Sequence, residues 1–261
     1  MMNNLENVRQ QHPLVICYTN DVVKHFTANG LLSIGASPAM SEAPEEAVEF
    51  LQVAGALVIN IGTLTKHSAK DMLEIAKIAN EESTPIVFDP VAVGASQFRK
   101  AFCQQFLQEV DVTVIKGNAS EILTLIDSQT TMKGTDSNTT LDVVTIAKKA
   151  QQLLQTTIVI TGETDVIAHE GKILKLTNGT AMLTRITGAG CLLGGIIASF
   201  VNKQLEPKID DIAEAVTIYN IAAEHAAQVA DGPGSFLTQF IDALYNVTYD
   251  DYLTQRQVKE V

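Results

Sequence analysis

Short apolar runs rich in β-branched residues alternate with longer amphipathic segments along much of this chain, and this alternation most constrains the fold. The short runs predict buried strands at 14–19, 55–62, 85–90, 112–117 and 156–162. The longer segments predict helices at 43–54, 65–82, 96–110 and 139–154. Strands that alternate with helices form a mostly parallel sheet with helices on both faces. The predicted fold class is therefore α/β, with three α/β/α layers.

The pattern changes after residue 162. The runs "DVIAHEG" and "KILKLT" predict a hairpin around Glu170 and Gly171. Three long helical segments follow, near 189–203, 210–230 and 234–247, and a polar tail begins at about 249. Because no repeat, linker or break in composition divides the chain, we predict one domain over 1–261.

Composition limits the partners of this chain. The net charge of −12 argues against a nucleic-acid or anionic-membrane surface, because both demand a basic face. No apolar stretch approaches the ~18 residues of a membrane span, and the start "MMNNLENVRQQHP" is too polar for a signal peptide. Three cysteines without CxxC spacing fit free thiols in a reducing compartment, so we expect a cytoplasmic protein.

Polar residues follow the predicted strands at the points where the strands end. They are Thr19-Asn20, Asn60–Gly62, Asp89-Pro90, Lys116–Asn118 and Thr161-Gly162. In an open parallel sheet the carboxyl ends of the strands meet at one edge, and ligands bind there. Asp89 at a strand end and Glu121 in "KGNASEI" are carboxylates that could hold Mg²⁺ through water, and Lys116 could neutralise phosphate. Glu121, three residues after Asn118, fits a helix-capping arrangement equally well.

The stretch "ITGAGCLLGG", residues 186–195, is a glycine-rich turn that opens an apolar helix. Gly188 and Gly190 allow positive φ and close backbone approach, and the amides at the helix start can face an anion. Cys191 falls in the first turn, where a helix N-terminus lowers a thiol pKa. A proton-accepting thiol and a small residue that only packs the turn both remain open.

Six motifs in one order carry a family resemblance: "TNDVV…ANGLLSIGASPAMSEAPEE", "GALVINIGTL", "DPVAVGAS", "KGNASEI", "ITGETD" and "TGAGCLLGG". Together they resemble the hydroxyethylthiazole kinase family of the ribokinase-like superfamily, from about Pro13 to residue 247. The resemblance implies a ribokinase-like fold and transfer of the ATP γ-phosphoryl group to 4-methyl-5-(2-hydroxyethyl)thiazole, with Mg²⁺, in thiamine diphosphate biosynthesis or salvage. It also implies a homotrimer with active sites at subunit interfaces.

The resemblance also implies roles for individual residues. The thiazole alcohol would contact Met40 and Gly188, with Asn20 nearby. The residues that would contact ATP are Lys116, Asn118, Thr161 and Gly190.

Asp89 and Glu121 would organise Mg²⁺, and Cys191 would face the reacting hydroxyl as the catalytic residue. The family typically has arginine where this chain has Lys116, so a bidentate fork is replaced by a point charge. Sugar kinases of the superfamily usually carry aspartate where Cys191 stands, whereas thiazole kinases share the cysteine.

Three alternatives remain open from the sequence. A vitamin-precursor kinase of the hydroxymethylpyrimidine or pyridoxal type normally begins with a glycine-rich signature, which "VICYTNDVV" does not resemble. A dehydratase acting on hydrated nicotinamide dinucleotide usually keeps aspartate where Cys191 stands. A non-catalytic small-molecule binder is disfavoured because candidate residues for metal, phosphate and hydroxyl are all present.

Overall fold

The computed structural model describes residues 3–126, 142–201, 203 and 208–261. Within these residues the strands are β1 (Leu14–Tyr18), β2 (Ser37–Ala39), β3 (Ala56–Asn60), β4 (Ile86–Asp89), β5 (Val114–Asn118), β6 (Thr157–Thr161), β7 (Asp165–His169), β8 (Lys172–Leu176) and β9 (Val258–Glu260). They form one sheet in the order β2-β1-β3-β4-β5-β6-β7-β8-β9.

The sheet is parallel from β2 through β6 and antiparallel from β6 to β9. The predicted hairpin is confirmed: β7 and β8 pair antiparallel across Glu170 (φ 45°) and Gly171 (φ 82°). Positive φ at both turn residues matches the right-handed twist of the two strands. The mostly parallel sheet predicted from the sequence is therefore confirmed.

The helices that the structure describes are α1 (Asn4–Gln11), α2 (Lys24–Ile34), α3 (Ala47–Val53), α4 (Lys66–Glu81), α5 (Gln97–Glu109), α6 (Ala119–Ile126), α7 (Val143–Leu154), α8 (Ala189–Phe200), α9 (Ile209–Val229), α10 (Pro233–Asn246) and α11 (Tyr249–Gln255). Short 3-10 helices span Pro44–Glu46, Val93–Ala95 and Ala181–Arg185. Each predicted helix has its counterpart, although the first three residues of the segment predicted at 139–154 lie outside the described residues.

Successive strand residues face opposite sides of the sheet, which creates two separate apolar cores. In β1, for example, Val15 and Cys17 enter one core, while Ile16 and Tyr18 enter the other. The first core is shared with α1, α2, α8, α9 and α10, and the second with α3, α4, α5, α6 and α7. The predicted three-layer α/β/α arrangement is confirmed.

Both ends of the chain contain elements that the sequence analysis does not predict. At the N-terminus, Glu214 of α9 accepts hydrogen bonds from the Leu5 amide at 3.1 Å and from Asn4 Nδ2 at 3.0 Å, which fastens α1 to the core. The polar tail forms α11 and the edge strand β9, and the Gln257 amide donates to Asn178 Oδ1 at 2.7 Å. These contacts join residues far apart in sequence, so no local sequence pattern predicts them.

One buried hydrogen bond sets the start of α8 against α9. The Tyr219 hydroxyl, from α9, donates to the Ala189 carbonyl at 2.7 Å. The Tyr219 ring lies edge-on to Phe240 with 5.0 Å between ring centroids, and both side chains are buried. The first turn of α8 is thereby held over the carboxyl edge of the sheet.

We expect Tyr219→Phe to lower the free energy of unfolding by about 1–2 kcal/mol, because it removes a buried hydrogen bond and keeps the ring. Urea denaturation followed by circular dichroism measures this change. Tyr245→Phe is the matched control, since Tyr245 is 71% exposed, and its effect should stay within about 0.5 kcal/mol. Equal stability of Tyr219→Phe and wild type would contradict the role given to this bond.

Candidate active site

The carboxyl ends of the parallel strands bring distant polar side chains to one place. Asn60 and Asp89 are the last residues of β3 and β4, which pair in register at this point. Asn20 lies just beyond β1, and Lys116 lies in β5. Above them begins α8, whose N-cap Gly188 has φ 89°. An L side chain rarely adopts that backbone conformation, so glycine suits this turn.

A continuous set of hydrogen bonds connects four of these residues to Cys191. Asn20 Nδ2 donates to Cys191 Sγ at 3.3 Å and to Asn60 Oδ1 at 3.1 Å. Asn60 Nδ2 donates to Asp89 Oδ2 at 2.8 Å, and Lys116 Nζ donates to the same oxygen at 3.1 Å. The structure therefore brings together four predicted site residues, Asn20, Asp89, Lys116 and Cys191, with Asn60 at their centre.

Asp89 and Lys116 form a buried ion pair, with relative exposures of 1% and 4%. Burial raises the pKa of Asp89 to about 6, although the Lys116 charge opposes the rise. Burial is the largest single influence on the pKa of Lys116 and acts to lower it, but Asp89, Cys191 and Glu121 together outweigh burial, and the pKa is raised. Among the described residues, the buried Asp89 Oδ1 has no hydrogen-bond partner. A buried acceptor of this kind is costly unless a cation or a water approaches it.

The Lys116 ammonium lies directly under the first turn of α8. A Cβ atom placed on Gly190 would lie 3.2 Å from Lys116 Nζ, so a larger residue at position 190 would crowd the ammonium. The helix N-terminus carries partial positive charge, and a cation next to it is unfavourable unless an anion is also near. The Asp89 carboxylate neutralises the ammonium from one side. The geometry favours a second anion, such as a phosphate, at the mouth of α8.

Cys191 lies in the first turn of α8, where the sequence predicts it, but the expected lowering of its thiol pKa is wrong. Burial raises the pKa of the thiol, and the negative charge of Asp89 adds to the rise. The Lys116 charge and the amides of Asn20 and Asn60 oppose it without reversing it. The thiol is therefore protonated near neutral pH, and it cannot act as a preformed thiolate.

Glu121 and Asn118 form the predicted capping arrangement at the start of α6. The Glu121 amide donates to Asn118 Oδ1 at 2.9 Å, and the Asn118 amide donates to Glu121 Oε2 at 2.8 Å. Glu121 Oε1 accepts from the Ala92 amide at 2.8 Å. Both carboxylate oxygens thus already accept one backbone hydrogen bond, so Glu121 offers a cation only its remaining lone pairs.

A cavity of about 660 Å³ opens beside this centre and is lined by residues from β6, β7, α8 and α9. Thr161 and Gly190, both predicted to contact ATP, lie in its wall, whereas Asn118 does not. Asp165 links two parts of the cavity wall. Its Oδ1 accepts from the Gly162 amide at 3.0 Å, and its Oδ2 accepts from Asn220 Nδ2 at 2.7 Å. Burial raises the pKa of Asp165 to about 6.

Met40 lines a different opening from the cavity of about 660 Å³. It is partly buried against the core that contains α8, and it lines an open cleft of about 640 Å³ together with Glu42, His67 and Lys70. Gly188, the other predicted thiazole contact, packs against Val23, and a Cβ there would lie 2.6 Å from Val23 Cγ1.

Three residues of the site were not singled out from the sequence, Asp165, Tyr219 and Asn220, and Asn60 was named only among the polar residues at strand ends, without a role. Asn60 and Asp165 had a signal, because each is polar and stands at the edge of a buried strand. Tyr219 and Asn220 lie inside the long helix α9, and nothing in their local pattern distinguishes them from core residues.

Among the residues that the structure describes, no three His, Cys, Asp or Glu side chains are grouped so as to hold a metal ion. No helix described is both long enough and apolar enough to cross a bilayer.

This chain is similar to known proteins over nearly its whole length. The model of the hydroxyethylthiazole kinase family matches residues 5–250. A curated hydroxyethylthiazole kinase from Staphylococcus haemolyticus is 65% identical over 260 residues, which covers 99% of this chain and 98% of the relative. The solved hydroxyethylthiazole kinase from Pyrococcus horikoshii superposes with a TM-score of 0.91 at 36% identity, covering 99% of this chain and 97% of that one.

A ribokinase-like superfamily protein from Enterococcus faecalis is similar in fold alone, with a TM-score of 0.65 at 16% identity over 90% of this chain and 87% of that one. The ribokinase-like fold class predicted from the sequence is confirmed.

Proposed function

The chain belongs to the hydroxyethylthiazole kinase family, and from that premise we propose that it phosphorylates the hydroxyethyl group of 4-methyl-5-(2-hydroxyethyl)thiazole with ATP. The product would be the thiazole phosphate used for thiamine diphosphate. One observation carries the proposal: the Lys116 ammonium and the N-terminus of α8 converge beside Cys191 and Asn20. A phosphate held by the first pair can meet a hydroxyl held by the second.

ATP would occupy the cavity of about 660 Å³, with its phosphates toward α8. Thr161 lines that cavity and offers a hydroxyl donor, while Gly190 leaves the backbone open to close approach. The first amides of α8 are donors for phosphate oxygens, and the helix dipole favours their negative charge. Asn118 caps α6 through its Oδ1 atom, and it would contact ATP from that position.

Phosphoryl transfer depends mainly on alignment of the alcohol with the γ-phosphate and on neutralisation of the phosphate charge. The alcohol oxygen attacks the γ-phosphorus in line, the bond to the ADP oxygen breaks, and the alcohol proton is released. A loose transition state needs little early deprotonation, so a protonated Cys191 thiol is compatible with turnover. Cys191 and Asn20 would orient the hydroxyl, and Lys116 would offset charge on the transferring group.

Magnesium would be held near Asp89 and Glu121. The unpartnered, buried Oδ1 of Asp89 fits a cation or its bound water. Glu121 keeps its capping bonds and would reach the ion through water. When bound, Mg²⁺ neutralises charge on the β- and γ-phosphates.

The thiazole side of the site would be completed by a neighbouring subunit. Met40 lines an open cleft distinct from the cavity proposed for ATP, which fits an active site built between subunits. We propose the homotrimer that the family resemblance implies; light scattering tests it, and a monomeric mass would refute it. We also propose a cytoplasmic location, since all three cysteines are free.

The test of the proposed function is ATP consumption by the purified protein with the thiazole alcohol, compared with the hydroxymethylpyrimidine alcohol. We expect turnover with the thiazole alcohol, and phosphate on its hydroxyethyl oxygen by ³¹P NMR. Turnover confined to the pyrimidine would assign the chain a different substrate.

We expect Cys191→Ala to lower kcat on the order of 10²-fold, because the reacting hydroxyl loses a group that orients it. Steady-state kinetics under saturating ATP measures the change. Cys103→Ala is the matched control, because Cys103 is buried in the opposite helix layer, and kcat should stay within about twofold. An unchanged kcat in Cys191→Ala would remove the thiol from the mechanism.

We expect Glu121→Gln to raise the Mg²⁺ concentration that gives half-maximal activity, because one negative charge near the ion is lost. Glu170→Gln makes the same charge change in the exposed β7–β8 turn and should leave the Mg²⁺ titration as in wild type. Superimposable titrations of Glu121→Gln and wild type would argue against this metal role.

A further inference from the structure

Asn60 occupies the centre of the hydrogen-bonded residues yet is itself only 1% exposed. Its Oδ1 accepts from Asn20 Nδ2 at 3.1 Å and from the Gly62 amide at 3.0 Å. Its Nδ2 donates to Asp89 Oδ2 at 2.8 Å. With so little exposed surface, Asn60 has little access to a substrate, and any effect on the reaction must pass through these partners or through the Cys191 thiol, whose pKa the Asn60 amide acts to lower.

The orientation of the Asn60 amide is determined by its partners. A flipped amide would point its NH₂ group at two other donors, Asn20 Nδ2 and the Gly62 amide. It would also turn its carbonyl oxygen toward the Asp89 carboxylate, acceptor against acceptor. Only one orientation satisfies every group, so Asn60 presents a fixed acceptor to Asn20.

Asn20 is in turn held from two sides. Both donors of its NH₂ group are used, one on Asn60 Oδ1 and one on Cys191 Sγ. On its other side the Asn20 side chain packs closely against Gly62. A Cβ atom on Gly62 would lie 2.8 Å from both Asn20 Cβ and Asn20 Nδ2. The Gly62 carbonyl accepts from Arg99 Nη2 at 2.8 Å, and Arg99 Nη1 also donates to the Val91 carbonyl at 2.8 Å. The residue against Asn20 is therefore itself tied to the loop after β4.

We propose that Asn60 is a positioning residue for phosphoryl transfer, which holds the Asn20 amide in the orientation that donates to the Cys191 sulfur. Without Asn60, Asn20 loses the acceptor that orients it, and Cys191 loses a steady donor. The inference rests on the proposed function through the place that function gives to Cys191 at the reacting hydroxyl.

A double-mutant cycle tests whether Asn60 acts through Asn20. We expect Asn60→Ala to lower kcat about tenfold, as loss of alignment does, while the KM for ATP changes less than about twofold. The double variant Asn60→Ala/Asn20→Ala should be no slower than Asn20→Ala alone, because the two residues act as one unit. Multiplicative losses would overturn the proposal and leave Asp89 as the route by which Asn60 acts.

Alkylation of Cys191 by iodoacetamide gives a readout that needs no substrate. Cys17 and Cys103 are buried and Cys191 is half-buried, so the native protein should label at Cys191. Asp89 and Lys116 are the charged groups that act on this thiol, and both remain in the variant. Loss of the hydrogen bond from Asn20, and of the Asn60 amide that also acts to lower the thiol pKa, disfavours the thiolate, so in Asn60→Ala the alkylation midpoint should move to higher pH. Gly62→Ala, which keeps the Asn60 side chain, isolates the part of the shift that passes through Asn20.

Thr84→Val is the matched control for a lost buried hydrogen bond. Thr84 is 2% exposed, donates to the Leu51 carbonyl at 2.9 Å, and lies before β4 at the opposite edge of the sheet. It should lose stability without a change in kcat or in alkylation. If Thr84→Val lowers kcat as much as Asn60→Ala does, the effect is general destabilisation and the proposal fails.

Gly62→Ala supplies a second route if Asn60→Ala does not fold. It displaces Asn20 while leaving the Asn60 side chain in place, and it should reproduce the alkylation shift. A wild-type alkylation profile in a folded Gly62→Ala variant would overturn the proposal. Failure of the wild-type protein to phosphorylate the thiazole alcohol would instead refute the proposed function, so the two failures are distinguishable.

Discussion

The Asp89 carboxylate and the Lys116 ammonium, 3.1 Å apart beneath the first turn of α8, form the interaction on which the rest of the site depends. Removing two charges from water is costly, and the pair survives only with added hydrogen bonds. Asn60 supplies one of them and at the same time orders Asn20. The ion pair is itself neutral, so the partial positive charge of the helix end above it has no counter-charge. A phosphate would supply that negative charge.

The sheet explains how a small number of residues can make this centre. The pairs β1–β3 and β3–β4 are parallel neighbours, so their ends deliver Asn20, Asn60 and Asp89 side by side. The antiparallel β7 begins at the same edge, so its first residue, Asp165, lies beside Gly162. In the proposed function, Asn20, Asn60 and Asp89 would lie on the side of the reacting hydroxyl, and Asp165 on the side of the nucleotide.

The sequence predicts the parts of this structure that depend on local pattern. Strands buried on both faces show as continuous apolar runs, and the cap formed by Asn118 and Glu121 follows from their spacing. It does not predict α1, whose anchor is Glu214 in a distant helix. The direction of the Cys191 pKa is also mispredicted, because burial and the charge of Asp89 raise it and depend on residues that are distant in sequence. The bond between Asp165 and Asn220 joins residues too far apart for any local pattern to indicate.

The contacts of Asn178 tie the wall of the cavity of about 660 Å³ to a distant part of the chain. Asn178 lines that cavity, donates to the Gln255 carbonyl at 3.1 Å and accepts from the Gln257 amide at 2.7 Å. The hydrogen bonds among Asn20, Asn60, Asp89 and Lys116 involve neither of those two residues. A change that loosens the segment between α11 and β9 would therefore disturb the cavity wall while leaving the bonds of that centre in place.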